Sequence, residues 1–540
     1  MHTLYSDFEP GNLLHIALVR SWERGKFNGI ILSSELPDGY LFLTANDLDK
    51  NKVRIKGLDV AFLAKDKVNY AGEAVALIAG ENEKVCRELC RSVKINFTGD
   101  VQIPKYEERG ICAIAEREIG SSEERETAFA QNENTNEWEV ALSFQALGEC
   151  TGAICQLARD SVIISTQSED TDVIKESVSS VTSKRIIVNK MHSPMQKNTN
   201  AVWLEAYCAA LCTLIAVKSD YNTKFVFSRE EQERIVDKSL KSVIKTKTSV
   251  GENGEIKALE IEIEADVGFV NPMASCMMDY LANANFGFYN VPFFKIKALA
   301  CNSASTPSGL NMHTMSSEAF FALESHMNVV AKSLNLFPSE IREKNSEQKQ
   351  IIEAVVKKSD YTRKYVAYKL NSLRRLDPNA KKCLPFSTPL RGIGLSTVSD
   401  NDTVAAVVVE LELDPCTFRA KIRALHLVID CGKVDNVSSA LMVLKRDIHQ
   451  VSKRLLSDDS IEISEMSISF VTSDKESSHI GEIVFNAVPA AFTSALGQIL
   501  STEIISFPLD TESVFNLYQK NCVIQNRREI NDNNSDSQRA

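Results

Sequence analysis

Strand-length apolar runs alternate with helix-length periodic segments along nearly the whole chain, and this alternation restricts the fold to a mixed α and β architecture. Leu13 to Val19, Ala74 to Ala79, Val93 to Phe97, Ser161 to Thr166, Arg185 to Val188 and Lys224 to Phe227 read as strands. So do Lys257 to Ala265, where apolar and charged residues alternate, and the consecutive runs Ala405 to Leu413 and Ala420 to Ile429. Helical spacing occupies Glu81 to Arg91, Thr171 to Val181, Leu204 to Val217, Phe321 to Leu334, Ser438 to Leu456 and Phe485 to Leu500. Two polar stretches interrupt the pattern and divide 540 residues into an expected set of units. These are a first domain over 1–102, a polar linker over 103–136, an α+β subdomain over 137–345, a polar connection over 346–389, a second α+β subdomain over 390–525 and a disordered tail over 526–540.

Charge and cysteine usage exclude several function classes. The net charge is −11 with no basic block, which argues against a nucleic-acid binder. No run of 18 or more apolar residues is present, so no membrane span is expected. The N-terminus lacks the basic and apolar regions of a secretory signal. None of the 13 cysteines is spaced C-x-x-C, and the pairs Cys86/Cys90 and Cys208/Cys212 fall one helical turn apart. Reduced thiols packed inside a cytoplasmic protein are the expectation. No Walker loop, G-x-G-x-x-G, G-x-S-x-G or H-E-x-x-H occurs. Read locally, Glu482 follows Gly481 just before an apolar helix, where a helix dipole favours an anion. Gln167 ends a strand and reads as a loop hydrogen-bonder.

A series of short motifs, in order, resembles the molybdenum-cofactor-binding subunit of the xanthine dehydrogenase/aldehyde oxidase family. The N-terminal segment Val68-Asn69-Tyr70-Ala71-Gly72-Glu73-Ala74-Val75-Ala76-Leu77-Ile78 is similar to V-x-Y-x-G-[DE]-x-V-A-L-V of that family's α/β hammerhead domain. Downstream, Gln145-Ala146-Leu147-Gly148-Glu149 resembles H-A-P-M-E, Ser165-Thr166-Gln167 matches S-T-Q, and Ser228-Arg229-Glu230-Glu231 matches S-R-E-E. Asp266-Val267-Gly268-Phe269, Arg391-Gly392-Ile393-Gly394, Asp430-Cys431-Gly432-Lys433-Val434-Asp435-Asn436 and Ile480-Gly481-Glu482 continue the series. The resemblance implies an α/β hammerhead domain followed by two mixed α+β molybdopterin-binding-type subdomains. In such enzymes a carboxylate acts as general base toward a Mo–OH group that attacks an aldehyde or heterocycle. Glu482, beside Gly481, occupies that place, Gln167 corresponds to a glutamine next to the metal, and Gln450 to a cofactor-contacting glutamine. Iron–sulfur and FAD motifs are lacking here, so the resemblance implies partner subunits that carry them, or an intact molybdenum-binding paralogue.

The departures from the pattern cluster at the segments that would meet the cofactor. Glycine is only 22 of 540, about 4 % against a usual ~7 %, and none lies between Arg185 and Val250. The family's G-G-G-F-G-G-K loop falls at Pro194 to Asn200, and its R-G-F-G arginine at Met312. Its G-Q-x-x-G-G segment reads Met442-Val443-Leu444-Lys445-Arg446-Asp447, and its G-x-K-G reads Glu476-Ser477-Ser478-His479. Glycine serves at such places because backbone must approach a ligand closely. The sequence therefore predicts a family-like scaffold with an eroded cofactor site, acting as a structural or regulatory subunit. The alternative is an active oxidoreductase with Glu482 as its base.

Overall fold

The computed structural model describes residues 5, 7–99, 110–131, 133–142, 150–168, 170–191, 202–238, 240–284, 289–309, 312–376, 388–400, 402–458, 460–471, 475–476, 478, 480 and 483–520. Its elements run in chain order. The N-terminal part holds β1 (Leu13–Ser21), β2 (Gly25–Leu32), β3 (Leu41–Thr44), β4 (Lys52–Ile55), β5 (Leu58–Ala61), β6 (Lys67–Val68), β7 (Glu73–Gly80), α1 (Glu83–Arg91) and β8 (Val93–Gly99). All eight residues of β7 are buried, because its side chains pack into hydrophobic clusters on both faces of the sheet, and the strand lies between β1 and β3. Asn82 starts α1 by accepting from the backbone N–H groups of Lys84 and Val85, which satisfies donors that a helix start leaves open.

The next block comprises β9 (Ile111–Ile119), α2 (Ser122–Gln131), β10 (Asn134–Val140), β11 (Gly152–Leu157), β12 (Ser161–Thr166), α3 (Thr171–Ser179), β13 (Arg185–Lys190), α4 (Val202–Ser219), β14 (Asn222–Val226) and the single turn α5 (Arg229–Glu231). It continues with β15 (Lys241–Val250), β16 (Ile256–Gly268), α6 (Ala274–Ala284), β17 (Phe293–Asn302) and α7 (Met312–Ser333). Two sheets organise these elements. A seven-stranded sheet runs β13-β12-β11-β14-β1-β7-β3, and a six-stranded sheet includes β10-β15-β16-β17-β9. In the first, β1 pairs in parallel with β14, Leu13 opposite Asn222, so the N-terminal part and the second block share one sheet.

The last block holds α8 (Pro338–Asn345), α9 (Lys349–Ser359), α10 (Tyr361–Leu376), β18 (Leu390–Asp400), β19 (Thr403–Leu413), β20 (Ala420–Asp430), α11 (Val437–Ser452), β21 (Glu462–Phe470), α12 (Ile483–Leu500) and β22 (Ser506–Phe507). Strands β18-β19-β20-β21 form one sheet. Its two faces can be read from β19. Ala405, Val407, Val409, Leu411 and Leu413 join the main core with α12, whereas Val404, Ala406 and Val408 pack with Ile351, Val355 and Tyr361 of α9 and α10. Side chains alternate across a strand, so a β-branched run is buried on both sides. β22 returns to pair with β10, tying the end of the described chain to the middle sheet.

Two stretches depart from the sequence expectation. Within the polar stretch 103–136, residues 111–131 form β9 and α2, and β9 pairs along its length with β17. Within 346–389, α9 and α10 pack on the last sheet. Ile351, Ile352 and Val355 supply a narrow buried stripe on α9 that its lysines and glutamine mask in the sequence. The tail over 526–540 lies outside the described residues. Among the described residues one helix, Ile483–Leu500, is long and apolar enough to span a membrane, and 83 % of it is buried inside the fold.

Candidate functional site

Helices α7 and α12 lie side by side, and their N-terminal turns meet through three polar side chains. The hydroxyls of Ser316 and Ser317 donate to Asn486 Oδ1 at 2.8 and 3.0 Å. Asn486 Nδ2 is buried without a hydrogen-bond partner among the described residues. Directly after Ser317 on α7, Glu318 is fully buried and accepts from Leu142 N–H at 3.2 Å and Ser242 Oγ at 2.6 Å. Burial pushes its carboxyl well above the usual carboxylate range. Sequence reasoning passed over Glu318 and Asn486. Their signal was a polar group set inside otherwise apolar helical runs.

The predicted site residues fall on separate elements. Gln167 follows the end of β12, where its backbone N–H donates to Tyr5 Oη at 3.0 Å, and Tyr5 Oη donates to Gly152 O at 2.6 Å. Gln450 lies in the last turns of α11, which packs on α12 and β21. Gly481 and Glu482 lie outside the described residues, as do Pro194 to Asn200, Gln145 to Glu149 and the side chain of Met312.

The approach to α12 is nevertheless defined. β20 ends at Asp430; Cys431 and Gly432 follow it, and Gly432 has φ +73°, with Glu476 O only 2.0 Å from where a Cβ would stand. Lys433 N–H donates to Lys475 O at 3.1 Å, and Ser478 N–H to Cys431 O at 2.9 Å. Lys475 Nζ stands 3.5 Å from Asp430 Oδ2. The glycine of this motif thus admits the crossing of two protein backbones. The same holds in β18, where a Cβ on Gly392 or Gly394 would lie 2.1 Å from the carbonyl of Ala495 or Ala491 on α12. Ser228-Arg229-Glu230-Glu231 is likewise structural. Ser228 and Glu231 form a capping box, a reciprocal side-chain-to-backbone pair. Glu231 also binds Arg20 Nε of β1 at 2.7 Å and lies 3.5 Å from Arg87 of α1. Burial raises the Glu231 carboxyl, but the Arg20 charge outweighs it, and the carboxyl is held below its usual range.

The segment aligned with G-Q-x-x-G-G is continuous helix. Asn436 caps α11 by accepting from Ser439 N–H at 3.0 Å. Met442 is 68 % exposed, Leu444 is buried, and Arg446 grips Asp447 Oδ1 through Nε at 2.8 Å and Nη2 at 2.7 Å. Asp447 is 1 % exposed. A cofactor-facing glycine pair would offer backbone N–H groups and open space to an anionic ligand. Here a side-chain ion pair fills that position and presents a carboxylate.

Comparison with known proteins agrees with the scaffold. The family model for the molybdopterin cofactor-binding domain matches residues 201–346. A probable xanthine dehydrogenase subunit of Bacillus subtilis is 21 % identical over 306 residues, 53 % of this chain and 40 % of that protein. Aldehyde oxidase 4 of Rattus norvegicus is 22 % identical over 311 residues, 55 % of this chain and 23 % of that one. These matches span less than half the length of either relative. Among solved structures, CO dehydrogenase from Oligotropha carboxidovorans superposes with a TM-score of 0.80 at 12 % identity, covering 97 % of this chain and 96 % of that one. Aldehyde oxidoreductase from Desulfovibrio gigas gives 0.75 at 13 % identity, covering 95 % and 78 %. These likenesses concern the fold. The sequence matches show that the chain is similar, over about half its length, to members of the xanthine dehydrogenase/aldehyde oxidase family.

Proposed function

We propose that this chain keeps the molybdopterin-binding scaffold without holding the cofactor, and serves as a structural or regulatory subunit of a molybdenum hydroxylase assembly. The observation that carries the reading is the Arg446–Asp447 pair on α11, a half-exposed guanidinium on a buried carboxylate, at the two positions that the resemblance matches to the family's glycine pair. Anion recognition by backbone N–H groups depends on close approach, and a carboxylate at that position opposes it. The glycines that remain at Gly268, Gly392, Gly394 and Gly432 stand where protein backbone meets protein backbone, so their retention follows from the fold alone. Partners under this reading are separate iron–sulfur and FAD-binding subunits or an intact molybdenum-binding paralogue, in the cytoplasm. The units bounded at 102, 137, 345 and 390 are the proposed modules.

The test is co-expression of the tagged chain with an intact family subunit, followed by size-exclusion chromatography with light scattering. A stoichiometric complex is expected, and separate elution contradicts the subunit role. A second reading, an active hydroxylase, draws on the unpartnered Asn486 Nδ2 at the meeting of two helix N-termini. Under it Glu482 is the general base, and Gln167, Gln450 and Gly481 are cofactor-binding residues. Glu482→Gln would then abolish turnover and leave the fold intact.

A further inference from the structure

The six-stranded sheet turns one face inward and the other outward, and two thiols meet on the outward face at its β9 edge. On β17, Phe294, Ile296, Ala298 and Ala300 are buried in the core, so Lys295, Lys297, Leu299 and Cys301 point the opposite way. On β9, Ala115 is buried, and Cys112, Ile114, Glu116 and Glu118 are exposed. The register sets Lys295 opposite Glu118, Lys297 opposite Glu116 and Leu299 opposite Ile114. Lys295 Nζ lies 2.6 Å from Glu116 Oε1 across the two strands. Two residues further along each strand, the same alternation brings Cys301 and Cys112 to the outward side.

The pairing is irregular at this point. Ala300 stands opposite Ala113 and Cys301 opposite Ile111, which leaves Cys112 as the extra residue of a β-bulge. In a bulge two residues of one strand face a single residue of the other, and here Ile111 and Cys112 face Cys301. Cys112 Sγ reaches across to β17, donating to Ala300 O at 3.5 Å, one peptide bond from Cys301. Residues facing each other on antiparallel strands have Cα atoms roughly 4.5–5.5 Å apart, inside the range of about 4.4–6.8 Å that a disulfide spans. Both cysteines are reduced, and Cys112 is exposed. Cys301 is partly buried and lines a cleft of about 440 Å³ with Lys241, Glu264 and Asp266, so small molecules can approach both thiols. The helical pairs are shielded by comparison. Cys86, Cys208 and Cys212 are fully buried, and burial pushes the Cys90 thiol up to about 12.

We propose that Cys112 and Cys301 form a reversible redox site, which a small-molecule disulfide converts to a cross-strand disulfide. The Cys112 thiolate attacks one sulfur of the reagent, the reagent's S–S bond breaks, and the departing thiolate takes up a proton. The Cys301 thiolate then attacks the Cys112 sulfur of the mixed disulfide and expels the second half of the reagent, which is protonated in turn. The protein loses two electrons and two protons, and the reagent becomes two thiols. In reducing compartments the disulfides that do form are mostly transient and redox-sensing. The bond ties the edge strand β9, and α2 behind it, to β17 in the sheet interior. It closes a loop of about 190 residues in the unfolded chain, which favours the folded state.

Glutathione disulfide is the probe. The full chain is incubated with it at about pH 8.5, where thiolates are populated, until the exposed Cys276 and Cys416 carry glutathione. It is then alkylated, digested and read by mass spectrometry without reduction. A peptide cross-linked through Cys112 and Cys301 is expected, and dithiothreitol should remove it. Cys301→Ser should stop Cys112 at the glutathione adduct, and Cys112→Ser should abolish the cross-link. Cys112 is exposed, so Cys112→Ser keeps the fold and carries the test should Cys301→Ser fail to fold. The oxidised parent should unfold at a higher urea midpoint than the reduced parent, a gain that Cys112→Ser should lack. Cys112 ending as the glutathione adduct, as the alkylated thiol or bridged to a different cysteine in the folded parent overturns the proposal.

Discussion

Glu324 joins the two halves of the molybdopterin-binding-type scaffold, and its replacement is the most informative perturbation of the fold. It lies on α7, and both it and Arg342 of α8 are completely buried. Its carboxylate accepts from Arg342 Nε at 2.9 Å, from Thr397 N–H of β18 at 2.6 Å and from Tyr289 Oη at 2.5 Å. Arg342 also donates to the carbonyls of Pro338 and Glu324. Glu324→Leu strands a guanidinium in the core, a loss of about 3–5 kcal/mol. The orphaned Thr397 N–H and Tyr289 hydroxyl push the value toward the upper end, since each lost partner leaves about 1–3 kcal/mol of desolvation unrecovered. Glu324→Leu with Arg342→Met removes both charges and restores most of the loss, because a buried pair replaced by apolar groups of similar volume is often near neutral. Urea unfolding followed by tryptophan emission is the assay, since Trp138 packs on the same helix. A single variant within about 1 kcal/mol of the parent, the level of a surface pair, refutes the reasoning. So does a double variant as unstable as the sum of the singles.

Other outcomes rest on the same structure. His326 is buried between Thr248 Oγ1 at 2.8 Å and Asn136 Oδ1 at 2.9 Å, and burial pushes its ring from 6.5 to about 3. The unfolded chain therefore binds the extra proton first as pH falls below 6.5, and stability drops through the window down to about 3. Between pH 7 and pH 5 the parent should lose about 2 kcal/mol more than His326→Gln, measured by denaturant midpoints, and parallel curves would contradict this. Gly394→Ala should strongly destabilise the protein, because its Cβ meets the Ala491 carbonyl at 2.1 Å, whereas Gly11→Ala, with nothing within 4 Å, should leave the melting temperature unchanged. A thiol reagent should modify Cys112, Cys276 and Cys416, which are exposed. It should spare Cys155, whose thiol burial pushes up to about 12, until the protein unfolds; mass spectrometry of the labelled peptides reads the difference.

The elements legible in the sequence are those whose pattern is strong and local. β12 occupies the predicted Ser161 to Thr166 without change. β16, β19, α4 and α12 fall within a few residues of expectation because alternation or continuous apolar character marks them. β9 and α9 escaped notice for a physical reason. Ile111, Ile114 and Ile119 sit exposed on an edge strand rich in charge, and the buried stripe of α9 is narrow. The parallel pairing of β1 with β14 spans about two hundred residues of chain, which no local period reports. Motifs were easier to see than to interpret. Ser228 to Glu231 reads as a family signature, and the structure shows a capping box that anchors Arg20 and Arg87. Asn486 and Glu318 act through contacts distant in sequence, so single-residue chemistry did not single them out.

The central claim is that the scaffold persists while the cofactor is absent, and metal content tests it directly. The chain and an intact family subunit would be purified side by side from a molybdenum-replete host, with molybdenum read by mass spectrometry and pterin by fluorescence after oxidation. The account predicts a full complement in the intact subunit and only background in this chain, whose helix α11 carries the Arg446–Asp447 pair. One molybdenum and one pterin per chain would contradict it.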